Sequence, residues 1–418
     1  MRPRATCPGP FPFPHAARLL REGRHIMQDH RKLGRELDLF DSDPLIGAGL
    51  PFWMPDGAAA RHEVESYLYD LERRNGYRHV YSPGMGRRQM YELSGHLENF
   101  AGDMFPPMPV GEDELVLRPS LCPHHAMIFR ARGRSYRELP LRIAEMGPMY
   151  RAERSGVLGG LSRVRQIALN DAHVFCPPEQ AADEVARVLR LMAEAQAALG
   201  LRPASVQLSL RGEGRKYGGN DDSWGVSEAL LRDALAQAGI EYHEVAGEAA
   251  FYGPKIDVQV RDAADREWTI ATVQIDFHQP ERFGLEYIDR SGSKQRPVMI
   301  HRSLVGSMER LFGHLIEVHG GAFPVWYAPV QLAILPISAA QDEAAGDFAA
   351  AARGAGLRAE IHHDGSIGAR VRKARRIPYI AVIGEKEVHH GQVALRGHDP
   401  MPAAAAISLI REIAARRG

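Results

Sequence analysis

Cys122, His173 and His301 are the residues of this chain whose types are best suited to chemistry. A thiolate and two imidazoles suit zinc, and three protein ligands leave a fourth position open for a substrate group. They lie far apart in the sequence, however, and no compact CxxC or HExxH spacing joins them. Taken singly, Cys122 reads better as a small buried apolar residue, and each histidine as a hydrogen-bonded core residue. Three arginines, Arg151, Arg163 and Arg310, flank the same segments. Guanidinium groups pair bidentately with phosphate or carboxylate, although a lone arginine is most often a solvated surface residue.

Composition bounds what such residues can serve. The chain has 418 residues, 44% hydrophobic and 25% charged, which is ordinary globular material for two or three domains. Lys plus Arg equals Asp plus Glu, 52 each, so any contact with nucleic acid must come from local patches rather than a global basic charge. Only three cysteines occur, at 7, 122 and 176, and no apolar stretch reaches membrane-spanning length. Both features argue for a protein of a reducing compartment, the cytoplasm, with no membrane partner. Residues 1–28 read as a poorly ordered extension, rich in Arg and Pro before Met27, which resembles an alternative start. An Arg-rich transit peptide is the other reading of this segment.

The elements that must position the candidates follow from periodicity. Residues 61–74 place Val64, Tyr67, Leu68 and Leu71 at helical spacing. Asn75 and Gly76 break that helix, and residues 77–83 read as a strand ended by Pro83. The run VARVLRLMAEAQAAL, 185–199, predicts an amphipathic helix, and residues 214–222 read as a polar surface loop. Beyond Pro329, a buried strand over 328–337, an alanine-rich helix over 340–354 and a strand over 357–363 predict a small α/β domain with a mainly parallel sheet.

Several segments resemble one family. The long helix and the strand ending at Pro83 are similar to motif 1 of class II aminoacyl-tRNA synthetases. YRAERSG (150–156), GLSRVR (160–165) and DAHVFC (171–176) resemble motif 2, two strands joined by a loop, and GSMER (306–310) resembles motif 3, a strand feeding a helix. With FYGPK (251–255), TVQIDF (272–277) and FPVWYAPVQ (323–331), they resemble threonyl-tRNA synthetases from about residue 29 to the C-terminus. The resemblance implies an α+β catalytic domain over 29–324 with a central antiparallel class II sheet. It implies a C-terminal α/β anticodon-binding domain over 325–418, and a homodimer joined through motif 1.

The implied reaction is ATP-dependent activation of threonine and ligation to threonine tRNA, with ATP and Mg2+ as companions. Activation drives a carboxylate into the α-phosphate of ATP, so the site must hold two anions together. By resemblance Arg151 bridges carboxylate and α-phosphate, Arg163 and Arg310 hold the outer phosphates and the adenine face, and Glu153 contacts adenine or helps organise magnesium. The resemblance also makes Cys122, His173 and His301 a zinc site, one ion per subunit, that binds the amino group and hydroxyl of threonine. Asp171 then accepts from that hydroxyl, and Tyr252, Lys255, Thr272, Gln274 and Ser303 line the substrate site. A site that must engage a hydroxyl rejects valine by roughly 10⁴-fold or more, whereas serine lacks only a methyl group, worth roughly 1–3 kcal/mol. Many family members add an editing domain for that reason; the resemblance leaves no room for one before residue 29, so the sequence reads as a form lacking one in cis.

The chain departs from the family pattern near this site. Ile167 stands where the family has an adenine-stacking phenylalanine, Leu169 where it has glutamine, Asn170 where it has aspartate, and His124 where it has the glycine before its own histidine, His125. Ile167 loses the π contribution and Leu169 a polar contact. Such drift raises two alternatives: a paralogue that activates another β-hydroxy amino acid or loads a non-ribosomal acceptor, and a non-catalytic threonine- or tRNA-binding regulator. In the C-terminal part, Arg370, Arg372, Lys373, Arg375 and Arg376 fall on one predicted helix, a face suited to RNA phosphates. Glu387 and Arg396 match family positions that read anticodon bases, which makes tRNA the expected partner.

Overall fold

The computed structural model describes residues 29–417 apart from 214–216, 218–220 and 263. The expected N-terminal extension and most of the 214–222 loop lie outside the described residues. The chain starts with α1 (His30–Glu36), capped by the Asp29 side chain, which accepts from the Arg31 N–H at 2.8 Å. The next helix, α2 (Pro55–Arg74), begins with proline at its first position, where a missing N–H costs nothing. Val64, Tyr67, Leu68 and Leu71 are buried on it as their spacing predicts, and it ends before Gly76, whose φ of 82° suits glycine. Only Arg78–His79 of the expected 77–83 strand joins a sheet, as β1. Ser82 leaves the ladder because its N–H and hydroxyl both donate to Glu145, at 3.2 and 2.6 Å.

The site-bearing elements follow. They are α3 (Cys122–Arg130), β2 (Leu141–Tyr150), β3 (Gln166–Cys176), α4 (Ala181–Ala198), β4 (Ser205–Leu210), α5 (Asp221–Ala238), β5 (His243–Ala246), β6 (Lys255–Arg261), β7 (Glu267–Asp276), α6 (His278–Arg282), β8 (Val298–Ser303) and α7 (Met308–His319). The strands form one sheet of eight in the order β5-β4-β6-β7-β8-β3-β2-β1. Its six central strands run antiparallel, and only the edge pairs, β5 with β4 and β1 with β2, are parallel.

Strand pleating sends alternate residues to opposite faces. Ala172, Val174, Ile256, Val258, Val273, Ile275 and Ile300 point to one face, into the largest core, with α2, α4 and α7 packed over them. Helix α4 alone contributes Val185, Val188, Leu189, Leu191 and Met192, each such buried side chain worth about 1.5–3 kcal/mol relative to exposure. The other face keeps the residues between.

The C-terminal unit comprises β9 (Leu332–Pro336), α8 (Asp342–Gly354), β10 (Ala359–Ile361), α9 (Ile367–Lys373), β11 (Tyr379–Ile383), α10 (Glu385–His390), β12 (Gln392–Leu395), β13 (Met401–Pro402) and α11 (Ala403–Arg416). Its sheet order is β10-β9-β11-β12-β13. The expectation of a mainly parallel sheet holds only for β10, β9 and β11; β12 and β13 are antiparallel. The single short helix between β11 and β12, closed by Gly391 at φ 61°, returns the chain instead of crossing over.

Candidate active site

Register brings the scattered candidates into one block. His173 stands opposite His301, His301 opposite Gln274, and Gln274 opposite Lys255. One step of two residues along, Ser303 faces Thr272 and Thr272 faces Asp257. Asp171 lies two residues before His173 and opposite Glu145. All of these side chains leave the face of the sheet opposite the helical core. Cys122 reaches the same place from the start of α3, and Cys122, His173 and His301 are buried with their ligand atoms within 4.8 Å of one another.

A hydrogen-bonded chain sets the tautomers of the histidines. The His125 Nε2 donates to the Glu145 carboxylate at 3.3 Å, so its Nδ1 accepts from His173 Nδ1 at 2.7 Å. From the other end, His301 Nε2 donates to Asp276 at 2.9 Å. The remaining nitrogens, His173 Nε2 and His301 Nδ1, then face each other only 2.9 Å apart, beside the Cys122 sulfur. Two lone pairs and a thiolate at such range repel unless a cation or a proton lies among them. The donor set therefore fits zinc, and the carboxylates behind it are the outer partners such ligands use.

Without a metal, the electrostatics put a proton among these atoms, on His301. Burial and the neighbouring imidazoles hold His173 well below its usual pKa, in the neutral ligand form. Burial opposes charge on Cys122 and His301, yet hydrogen bonds outweigh it: His301 and His96 push the thiol down, while Asp276 and Cys122 push His301 up. Burial and the Cys122 charge raise Asp171 to about 7. Glu145 goes the other way, down to about 2, because hydrogen bonds from His125 and Ser82 and the Arg118 charge outweigh its burial.

The remaining candidates stand around this cluster. The Tyr252 ring stacks on His301 with centroids 4.8 Å apart, and its hydroxyl donates to Gln274 at 2.8 Å. Lys255 pairs directly with Asp257, which also accepts from Thr272 Oγ1 at 2.8 Å. The Ser303 hydroxyl accepts from the Gly306 N–H at 3.0 Å and shapes the turn into α7. That helix is capped by Ser307, which accepts from the Arg310 N–H at 3.2 Å.

The three arginines form a second, positive block. Arg163 pairs with Glu153 at 2.9 Å; Arg310 donates through Nε to the Ser162 carbonyl at 3.1 Å and lies 5.6 Å over Trp268. Arg151 lies 5.4 Å over Phe100, and its buried Nε has no partner among the described residues. Burial lowers the pKa of Arg151 and of Arg310, and the charges of Arg151 and Arg163 lower that of Arg310 further. Guanidinium groups that depress one another, with a buried donor unused, are arranged for an anion.

Residues 109–319 match the class II core domain of tRNA synthetases (G, H, P, S and T), and residues 331–409 match an anticodon-binding domain. The structure superposes on the RNA binding domain of threonyl-tRNA synthetase from Cryptosporidium parvum Iowa II with a TM-score of 0.85 and 32% identity, covering 92% of this chain and 98% of that one. The chain belongs to the threonyl-tRNA synthetase family. Curated relatives named threonine--tRNA ligase include those of Geobacillus sp. (strain WCH70), 47% identical over 375 residues, and Geobacillus kaustophilus (strain HTA426), 47% identical over 385 residues. These alignments cover 88% and 91% of the chain but 58% and 59% of the relatives, so the chain spans about three fifths of their length.

Against the family pattern, Asn170 turns out not to be a site residue. It faces the helical core, where its Nδ2 donates to Glu72 of α2 at 2.9 Å and its Oδ1 accepts from Arg302 at 3.3 Å and from the Leu304 N–H at 3.1 Å. Glu72 of α2, 2.7 Å from Arg302, is the carboxylate that compensates it there. Ile167 and Leu169 share the face of Asp171 and keep their bearing on the site. His124 is turned toward the Met85 carbonyl, 3.3 Å from its Nε2, away from the ligand set.

In the C-terminal unit the basic cluster divides. Arg370 is buried and donates to the carbonyls of Pro336 and His362 at 2.6 and 3.0 Å, and Arg376 donates to the Gly320 carbonyl at 2.9 Å. Both serve packing; Arg372, Lys373 and Arg375 remain exposed. Arg396 is exposed, and Glu387 accepts from the Gly384 N–H at 2.9 Å. Sequence reasoning passed over Glu145, Asp276 and Gln279. Asp276, two residues beyond Gln274, was signalled by strand alternation, whereas Glu145 and Gln279 carried no signal short of the register and the turn.

Proposed function

We propose that this chain activates threonine with ATP and Mg2+ and transfers it to threonine tRNA, using one zinc ion per subunit. The observation that carries the reading is the convergence of His173 Nε2 and His301 Nδ1, 2.9 Å apart, beside Cys122, on the sheet face that also bears Asp171. Zinc bound there supplies a Lewis acid with an open position for the amino and hydroxyl groups of a β-hydroxy amino acid. Asp171 accepts from the hydroxyl, and Tyr252, Gln274, Lys255, Thr272 and Ser303 wall the substrate. Arg151 holds the carboxylate against the α-phosphate, Arg163 and Arg310 hold the outer phosphates, and Glu153 orients Arg163. Valine, which cannot engage Asp171 or the metal, falls behind by roughly 10⁴-fold.

The catalytic unit over 29–324 then works with an anticodon unit over 325–418, in which Glu387 and Arg396 meet unstacked bases and Arg372, Lys373 and Arg375 meet phosphates. Exposed Tyr81 and Met85, just beyond the edge strand β1, support a homodimer contact there. Among the described residues no helix is long and apolar enough to cross a membrane. The test is ATP–pyrophosphate exchange with threonine, serine and valine, on zinc-loaded and chelator-stripped protein. Threonine-dependent exchange that requires zinc is expected; exchange with none of the three, or equal exchange with valine, refutes the reading.

A further inference from the structure

One short stretch, 276–279, reaches two of the three candidate metal ligands. Asp276 ends β7, and its Oδ2 accepts from His301 Nε2 at 2.9 Å. Its Oδ1 accepts the backbone N–H groups of His278 and Gln279 at 2.7 and 2.8 Å. The carboxylate thereby sets the first turn of α6 and brings the Gln279 side chain to Cys122, where Nε2 donates to Sγ at 3.6 Å. Gln279 is 0% exposed, and its Oε1 has no partner among the described residues. An amide buried with its acceptor unused is less favourable than an apolar side chain of the same size, so packing does not account for glutamine at this position. What glutamine adds is a fixed N–H donor aimed at sulfur.

We propose that Asp276 and Gln279 form a clamp behind the metal, with Gln279 a positioning residue whose amide donates to the metal-bound thiolate of Cys122. The inference rests on the zinc reading above. A hydrogen bond draws charge from the sulfur, weakens its donation to the cation, and leaves the cation more acidic toward whatever enters the open position. Asp276 acts oppositely on His301, making the imidazole a better donor. One turn thus adjusts two ligands in opposite senses and ties their spacing together.

Cobalt(II) alone is the probe. The full chain is stripped, loaded with cobalt, and its thiolate-to-cobalt charge-transfer band is compared with those of Gln279→Leu and Gln279→Met, two apolar replacements of similar size. Without the N–H the sulfur donates more strongly, so the band moves to lower energy in both variants. A wild-type band left at the same position by both substitutions overturns the clamp, while leaving the metal reading standing. Absence of any thiolate band in the wild type overturns the metal reading and the clamp together.

Discussion

Glu72→Gln removes the carboxylate that compensates Arg302 in the floor of the catalytic sheet. Arg302 is 1% exposed and Glu72 2% exposed, and their charged atoms are 2.7 Å apart. At an effective dielectric near 20 their attraction is about 6 kcal/mol, before desolvation is subtracted. Removing one partner of such a pair leaves an uncompensated buried charge and costs about 3–5 kcal/mol. Asn170→Asp alone is also destabilising, because it sets a second carboxylate 2.9 Å from Glu72 Oε1. Combined with Glu72→Gln, the same change moves the carboxylate to position 170, whose Oδ1 already lies 3.3 Å from Arg302 and 3.1 Å from the Leu304 N–H. Urea unfolding of the four proteins, followed by circular dichroism, closes a double-mutant cycle in which the double variant recovers about 2 kcal/mol or more over Glu72→Gln. A double variant as unstable as the sum of the two single changes refutes the idea that a carboxylate at 170 can take over the role of Glu72. Arg302 neighbours His301 on β8, so the less stable variants are also expected to hold zinc less tightly.

Three further outcomes are expected. Burial lifts Asp171 from 3.8 to about 7, so the metal-free native protein keeps a proton there that the unfolded chain releases; its stability falls as pH rises through that window. Melting temperatures of metal-free wild type and Asp171→Asn at about pH 5 and pH 7.5 should show the steeper loss in wild type, and parallel behaviour counts against the assignment. Arg151→Ala should lower kcat/KM for pyrophosphate exchange by roughly 10²–10³-fold, as for loss of a preorganised charge donor, with a drop below about tenfold contradicting its role. In the C-terminal unit, Arg370→Ala should lower thermal stability, whereas Arg372→Ala should weaken tRNA binding and reduce its salt dependence by about one unit of slope. The reverse pattern would show that the cluster has been divided wrongly.

Much of this site was legible before folding. The helix over 61–74 follows from local periodicity, which acts between near neighbours in the chain, while the strand–loop–strand of motif 2 and the strand–helix of motif 3 were implied by the family resemblance. Alternation along 171–173, 272–274 and 301–303 already put each pair of site residues on one face. The 77–83 strand went wrong because Ser82 is taken by a carboxylate more than sixty residues away, a competition no local pattern contains. Asn170 was misread for a related reason: its partner sits on α2.

By itself the sequence determined most of the helices and which side chains share a face of each element, since hydrophobic period, turn residues and caps are short-range properties. Tertiary structure alone decided what those side chains are for. Register set His173 against His301 and Glu145 against Asp171; the carbonyls of Pro336 and His362 made Arg370 a packing residue; and Asp276 brought Gln279 to Cys122. The hydrogen bonds that orient these histidines depend on carboxylates supplied by other strands. A lone pair has a direction only once its neighbours are in place.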